Sequence, residues 1–326
     1  MSNVVISCLT PGAAFDRAAQ GLLGEAERLA RTFGGEHIVL AGAADEEVLQ
    51  SCAKHADRVV AVQDEEYVEY QPESCLAILH SACAPLEPRA VLLGPDTYSQ
   101  ELAARLAHRL QGCSIGDVQG VEVKDNSIRV TRSVYGGKAI AVVQANAVPA
   151  VLWLRARAFE PEPERADAGQ VEGRRFLTED PPGALTATKI IERHREASSG
   201  VRLEDAQVIV SGGRGLGGPE PFAALAQLAK SINGQVGASR AACDSGWVPP
   251  GFQVGQTGKK VAPEFYLAIA ISGASQHLMG IADAKVVAAI NTDADAPIFG
   301  RCEFGIVEDW KNVVGPLTET LKSRSS

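Results

Sequence analysis

Two stretches of the chain alternate short apolar runs with segments of helical periodicity, and that alternation restricts the fold more than any single residue does. In the first stretch, Val4–Leu9, His37–Ala41, Arg58–Val62 and Ala90–Leu93 read as strands. Helix-period segments over Ala13–Thr32, Glu46–His55, Cys75–Ala84 and Ser99–Leu110 separate them. Strands joined through helices imply a parallel sheet covered on both faces, and right-handed crossovers leave few topologies. After Gly112 the pattern changes. Val118–Val123, Ser127–Tyr135 and Lys138–Gln144 are strand-like and are joined by the turn pairs Asp125-Asn126 and Gly136-Gly137, and Val148–Leu154 adds a further strand. This region reads as an antiparallel extension of the first sheet.

Phe159 to Asp205 reads as an extended, exposed linker, because prolines and like charges recur in it: Glu160-Pro161-Glu162-Pro163-Glu164, Glu179-Asp180-Pro181-Pro182-Gly183 and the charged Ile190–Glu196. The alternation then restarts. Ala206–Ser211, Gln235–Ala238, Leu267–Ile271, Lys285–Asn291 and Phe304–Val307 read as strands, Pro221–Ile232 as a helix, and Asp309–Lys322 as a closing helix with Asp309 at its N-cap. The expected fold class is α/β in two domains. Residues 1–200 hold an N-terminal parallel-sheet domain with its antiparallel extension and the linker; residues 203–326 hold a C-terminal doubly wound domain.

Composition removes several functions. With 326 residues, 45% hydrophobic and 22% charged, the chain is ordinary globular material. Its net charge of −9 and its lack of a Lys/Arg-rich run argue against nucleic acid as a partner. The 7 cysteines form no C-x-x-C pair, which argues against a metal or iron–sulfur site and fits reduced thiols in a cytosol-like compartment. No basic leader, Arg-rich presequence or membrane-length apolar run is seen, so the expectation is a cytoplasmic bacterial protein without membrane insertion, rather than a mitochondrial matrix one. His37, His55, His80 and His108 read as structural, and Asp64-Glu65-Glu66 as solvated surface. No nucleophile set, paired carboxylates or metal cluster stands out, so no catalytic residue is assigned.

The chemistry concentrates after residue 205. Ser211-Gly212-Gly213-Arg214-Gly215-Leu216-Gly217-Gly218 lies between a strand and a helix and satisfies G-x-G-x-x-G. Glycines there let backbone N–H groups approach a phosphate, with the following helix N-terminus adding a favourable field. A dinucleotide site of the NAD type also needs an acid ~20 residues on to hold the ribose. Gly237-Ala238-Ser239-Arg240 occupies that place with a hydroxyl and a cation. NAD is thereby disfavoured, whereas an NADP-dependent oxidoreductase stays open, since Arg240 suits a 2′-phosphate. Three further strand ends carry polar groups: Gln253-Val254-Gly255-Gln256-Thr257-Gly258-Lys259, Ile271-Ser272-Gly273-Ala274-Ser275-Gln276-His277, and Ala289-Ile290-Asn291 through Ala296-Pro297-Ile298-Phe299. Donors on consecutive strand ends make a nucleotide crevice.

These motifs, in this order and spacing across about residues 205–322, closely resemble the alpha subunit of electron transfer flavoproteins; over residues 1–200 the resemblance is architectural. It implies an FAD-binding alpha subunit of a heterodimer, an electron carrier more than a substrate-converting enzyme. By resemblance, Arg214, Ser239 and Arg240 contact FAD. Val254, Gly255, Gln256 and Thr257 line the flavin, the Thr257 hydroxyl near N5. Ser272, Gly273, Ala274, Ser275, Gln276 and His277 hold the pyrophosphate and ribityl side, His277 reaching the pyrimidine end. Asn291, Asp309 and Trp310 belong at the adenosine end, Trp310 standing where many relatives carry an aliphatic residue.

Arg240, Thr257 and, if protonated, His277 are the expected redox-tuning groups. A positive charge ~4 Å from the ring is worth ~4 kcal/mol at an effective dielectric of 20, on the order of 170 mV for one electron. The resemblance further implies an obligate beta subunit that commonly binds AMP, one FAD per heterodimer, flavin-dependent dehydrogenases as donors, and a quinone oxidoreductase or similar acceptor. An electron-bifurcating variant with a second FAD in the partner stays open, as does an interaction module with a vestigial site.

Overall fold

The structure, a computed structural model, describes residues 2–43, 46–135, 139–176, 190–192 and 203–325. Its two compact units comprise residues 1–134 with 140–194, and residues 195–326 with 135–139. The expected turn at Gly136-Gly137, the segment Glu179–Gly183 and most of Ile190–Glu196 lie outside the described residues.

The first unit runs β1 (Val5–Cys8), α1 (Arg17–Phe33), β2 (His37–Gly42), α2 (Glu46–Ala53), β3 (Arg58–Val62), α3 (Glu65–Val68), α4 (Pro72–Cys83), β4 (Ala90–Leu93) and α5 (Thr97–Arg109). It continues with β5 (Cys113–Lys124), β6 (Ser127–Val134), β7 (Ala139–Gln144), β8 (Ala150–Leu154) and β9 (Gln170–Arg174). Among the described residues these strands form a 9-stranded sheet ordered β7-β6-β5-β8-β4-β1-β2-β3-β9. Successive residues of β1 and β2 alternate between two cores: Val5, Val39 and Ala41 pack with α1 and α2, while Ile6, Ile38 and Leu40 pack with α4 and α5. Both faces are covered, as a parallel sheet requires.

Helix α1 starts later than its periodicity suggests, because the Asp16 carboxylate accepts from the Ala19 N–H at 2.9 Å and so sets the N-cap. At its other end Gly34 closes the helix in the left-handed region, with φ 64°.

Two expectations need correction here. Only part of the extension is antiparallel: β5 and β6 pair that way, but β8 lies parallel to both β4 and β5. The run Ala150-Val151-Leu152 is buried on both faces, which suits an interior parallel strand. The segment after Phe159 is not a free linker either. β9 pairs parallel with β3, and Phe159 packs against the first core. The glutamates interleaved with its prolines are matched by cations: Arg17 to Glu160 at 2.6 Å, Arg31 to Glu162 at 3.8 Å and Lys54 to Glu164 at 3.2 Å.

Asp64, expected on the surface, is buried and accepts from the Phe176 N–H at 2.9 Å, so it fastens the end of this segment. A Ser7–His37 contact of 2.9 Å, with Glu27 3.6 Å from the other ring nitrogen, has the residue types of a nucleophile set. Ser7 and His37 are fully buried and the imidazole also meets the His55 carbonyl at 2.9 Å, so this is a structural brace closed to substrate.

The second unit runs β10 (Val208–Gly212), α6 (Pro221–Ser231), β11 (Gln235–Ala238), α7 (Arg240–Asp244), β12 (Phe265–Ile269), α8 (Ser275–Gly280), β13 (Val286–Asn291), β14 (Phe304–Val307) and α9 (Trp310–Ser325). Among the described residues its 5-stranded sheet is ordered β11-β10-β12-β13-β14, with every pairing parallel. One face packs against α6 and α9 through Val210, Leu267 and Val314; the other packs against Val254, Ile281 and Ile298 through Ile209, Tyr266 and Ala268. No helix among the described residues is long and apolar enough to cross a membrane.

Candidate cofactor site

Because every strand of the second sheet points the same way, the loops after β10, β11, β12, β13 and β14 leave from one edge. Strand order reverses beside β10, with β11 on one side and β12 on the other. Ligands of open α/β sheets bind at such a switch point. The close approach there explains Gly213: a Cβ on it would run into the carbonyl of Ala270, a residue itself held in the left-handed region at φ 54°. The glycine-rich run does not pass straight into the helix, as the motif would suggest. A 3-10 turn over Arg214–Leu216 intervenes, and α6 begins only at Pro221, where proline suits a first helical turn.

Backbone hydrogen bonds tie the loops together. The Ser239 N–H donates to the Gly212 carbonyl at 2.9 Å, Val254 to Ala238 at 2.9 Å, Gln256 to Gln276 at 2.8 Å and Ile298 to Ser272 at 3.0 Å. The candidate residues Arg214, Ser239, Arg240, Val254–Thr257 and Ser272–His277 therefore all lie along the edge formed by β10, β11 and β12. Asn291 and the pair Asp309–Trp310 follow the ends of β13 and β14. Asn291 is engaged on both ends of its amide, donating to the Ile271 carbonyl at 3.0 Å and accepting from the Asp293 N–H at 3.1 Å. The Asp309 carboxylate accepts from the Lys311 N–H at 3.0 Å, as a helix cap does, and Trp310 packs into the core beneath α9.

Arg240 opens α7, exposed, with its Nε 3.3 Å from Asp244 Oδ2 one turn on. Reading the sequence alone passes over Asp244, although an acid four residues after an arginine is a recognisable helical pair. The Thr257 hydroxyl accepts from Gln253 Nε2 at 3.0 Å, which leaves its own proton to donate elsewhere. Gln253 likewise belongs to a recognised motif but acquires a role only from this contact.

His277 is 7% exposed, and its Nε2 lies 3.0 Å from the hydroxyl of Tyr266, which is fully buried on β12. Burial pushes the imidazole down to about 4, with the facing Val254 carbonyl pulling the other way. At neutral pH His277 is thus uncharged, so it can meet a ligand as a hydrogen-bonding group but not as a cation. Tyr266 escapes the sequence pattern because the apolar run places the strand at Leu267, whereas β12 starts at Phe265.

The burial of His277 carries a pH consequence. Its ordinary value is 6.5, and the folded chain holds it near 4. Between those limits the unfolded chain takes a proton that the folded one refuses, so stability is lost as pH falls through this window. The loss approaches about 3 kcal/mol below pH 4. Denaturant titrations from pH 7 to pH 4 should show a shallower acid decline for His277→Gln than for the parent; parallel curves would contradict this.

The group that would suit this edge can be judged from its donors. Buried Ser211 Oγ, Ser239 Oγ and His277 Nδ1 have no hydrogen-bond partner among the described residues. Arg214 and Arg240 add two exposed cations, and Gly213 and Gly273 keep the edge free of side chains where backbones meet. Neutral donors, cations and close backbone approach fit a flavin nucleotide.

Comparison with known proteins agrees. Residues 202–282 match the family model described as the electron transfer flavoprotein FAD-binding domain, and residues 5–176 match the electron transfer flavoprotein domain. The resemblance of the first unit, expected to be architectural, therefore extends to its sequence. The electron transfer flavoprotein alpha subunit of Syntrophomonas wolfei is 36% identical over 90% of this chain and 92% of its own length. That of Mycobacterium leprae is 38% identical over 82% of each. A probable mitochondrial alpha subunit of Caenorhabditis elegans is 38% identical over 87% of this chain and 84% of its own. The chain belongs to the electron transfer flavoprotein alpha-subunit family.

Proposed function

We propose that this chain is the FAD-binding subunit of a heterodimeric electron transfer flavoprotein, with one FAD per heterodimer along the loop edge of β10 to β13. The observation that carries the reading is the set of buried polar atoms without partners among the described residues, Ser211 Oγ, Ser239 Oγ and His277 Nδ1, along the strand ends at the switch point of a domain whose family is described as FAD-binding. When bound, FAD supplies one- and two-electron redox chemistry. The chain's own residues hold and bias it. The Ser239 and Thr257 hydroxyls offer donors, and Gly213 and Gly273 admit the cofactor backbone. Arg240 places a positive charge at the edge.

A beta subunit completes the pocket and carries AMP. Electrons arrive from flavin-dependent dehydrogenases and leave to a quinone oxidoreductase or similar acceptor. An NADP reading draws no support from the family matches.

The test is co-expression with a beta subunit, followed by a visible spectrum and extraction of bound nucleotide. A yellow heterodimer releasing one FAD is the expected result. A colourless heterodimer, or one that oxidises NADPH without flavin, overturns the reading.

A further inference from the structure

Tyr266 has no assigned role, yet it is fully buried on β12 and spends its hydroxyl on His277 at 3.0 Å. The direction of that bond follows from the surroundings. Burial raises the phenol's pKa and lowers that of the imidazole, so at neutral pH both are uncharged and the phenol keeps its proton. Ser211, buried on neighbouring β10 two residues beyond Tyr266's register partner Ile209, lies on the same face of the sheet and acts on the phenol as a donor would, although it completes no hydrogen bond. The His277 Nε2 is the hydrogen-bond partner that the described residues give this hydroxyl, and a neutral phenol keeps its single proton to donate there. A neutral imidazole that accepts at Nε2 carries its proton on Nδ1.

That second nitrogen is the informative one. His277 Nδ1 is buried and has no partner among the described residues; the Val254 carbonyl faces the ring without completing a bond. A buried donor left unsatisfied is costly, and such groups persist where something else meets them. Nearby, the Gln256 N–H donates to the Gln276 carbonyl at 2.8 Å, so the imidazole is carried on loops fastened to each other. The Tyr266 and His277 rings lie 6.0 Å apart and tilted at 57°, which leaves the hydroxyl as the polar link between them.

We propose that Tyr266 is a positioning residue of the flavin site: its hydroxyl donates to His277 Nε2 and thereby keeps Nδ1–H as a donor for an acceptor atom of the cofactor. The inference rests on the flavin reading above and deepens it. Ser211, on the same face of neighbouring β10, biases the phenol's proton toward Nε2.

Tyr266→Phe keeps the ring and its packing and removes only the hydroxyl. In the assembled heterodimer with a 15N-histidine-labelled alpha chain, the parent should show His277 as the Nδ1–H tautomer. The variant should show a mixture, with the flavin dissociation constant raised about tenfold, equivalent to 1.4 kcal/mol. Ser211→Ala should move both readouts the same way by about threefold, and it decides the matter if the phenylalanine variant does not assemble.

An unchanged tautomer, or a changed tautomer with flavin affinity within about twofold of the parent, overturns the inference. A colourless parent heterodimer would instead overturn the flavin reading, while the tautomer readout on flavin-free protein would still report whether Tyr266 sets the proton.

Discussion

Gly273→Val is expected to yield a heterodimer without flavin and to destabilise the second unit by roughly 4 kcal/mol. Two effects add. Gly273 sits at φ 82°, where a β-branched residue is strained. A Cβ there would also lie 2.6 Å from Ile298 Cα. The neighbour cannot yield cheaply, since it is backbone, pinned by the Ile298 N–H to Ser272 carbonyl bond of 3.0 Å. Domains are stable by only ~5–15 kcal/mol, so a loss of this size removes much of the margin. Gly273→Ala keeps the φ penalty and loses part of the crowding, so it should fall between. Thermal unfolding followed by flavin absorbance and by far-ultraviolet circular dichroism reads both effects. A valine variant that retained flavin and its melting temperature would refute the close-approach argument.

The second large effect belongs to Arg240. Removing its charge in Arg240→Ala should lower the midpoint potential for the first electron, because the ring gains negative charge on reduction and the cation offsets it. The scale of ~4 kcal/mol holds for an effective dielectric of 20, whereas bulk water gives ~1 kcal/mol. Here the arginine side chain is 67% exposed and Asp244 sits 3.3 Å away, so screening pulls the effect toward the lower figure. The expected shift runs from about 40 to about 170 mV, larger if the beta subunit covers the arginine. Asp244→Asn should raise the potential, because it removes the counter-charge. Stepwise reduction against a reference dye measures both. An Arg240→Ala protein with an unchanged potential would remove Arg240 from the redox role.

Periodicity made much of this molecule legible. The apolar runs at Arg58–Val62, Ala90–Leu93, Gln235–Ala238 and Phe304–Val307 fall on β3, β4, β11 and β14 with the same bounds. Each is a short run bounded by polar or turn residues, so side-chain burial and local pattern coincide. Elsewhere they part. At β12 the apolar run continues past Ile269 into Ala270 and Ile271, which belong to the turn at the switch point, so the pattern places the strand two residues late and leaves Tyr266 outside it.

At β8 the strand itself is readable but not its neighbours, and β9 reads only as part of an extended linker. Nothing local to Val148–Leu154 says that it slots between β4 and β5, and nothing local to Gln170–Arg174 says that it meets β3 through the 2.8 Å ion pair of Arg58 and Glu172.

The sequence by itself determined the class of fold, the existence of two strand–helix series, and the strand-end motifs that resemble one flavin-binding family. Those are properties of residue type and spacing along the chain. Only the tertiary structure decided that His277 is neutral, that Asp244 tempers Arg240, and that the Tyr266 hydroxyl meets the imidazole. Charge state follows from burial and from groups brought together across strands, and a linear pattern carries neither.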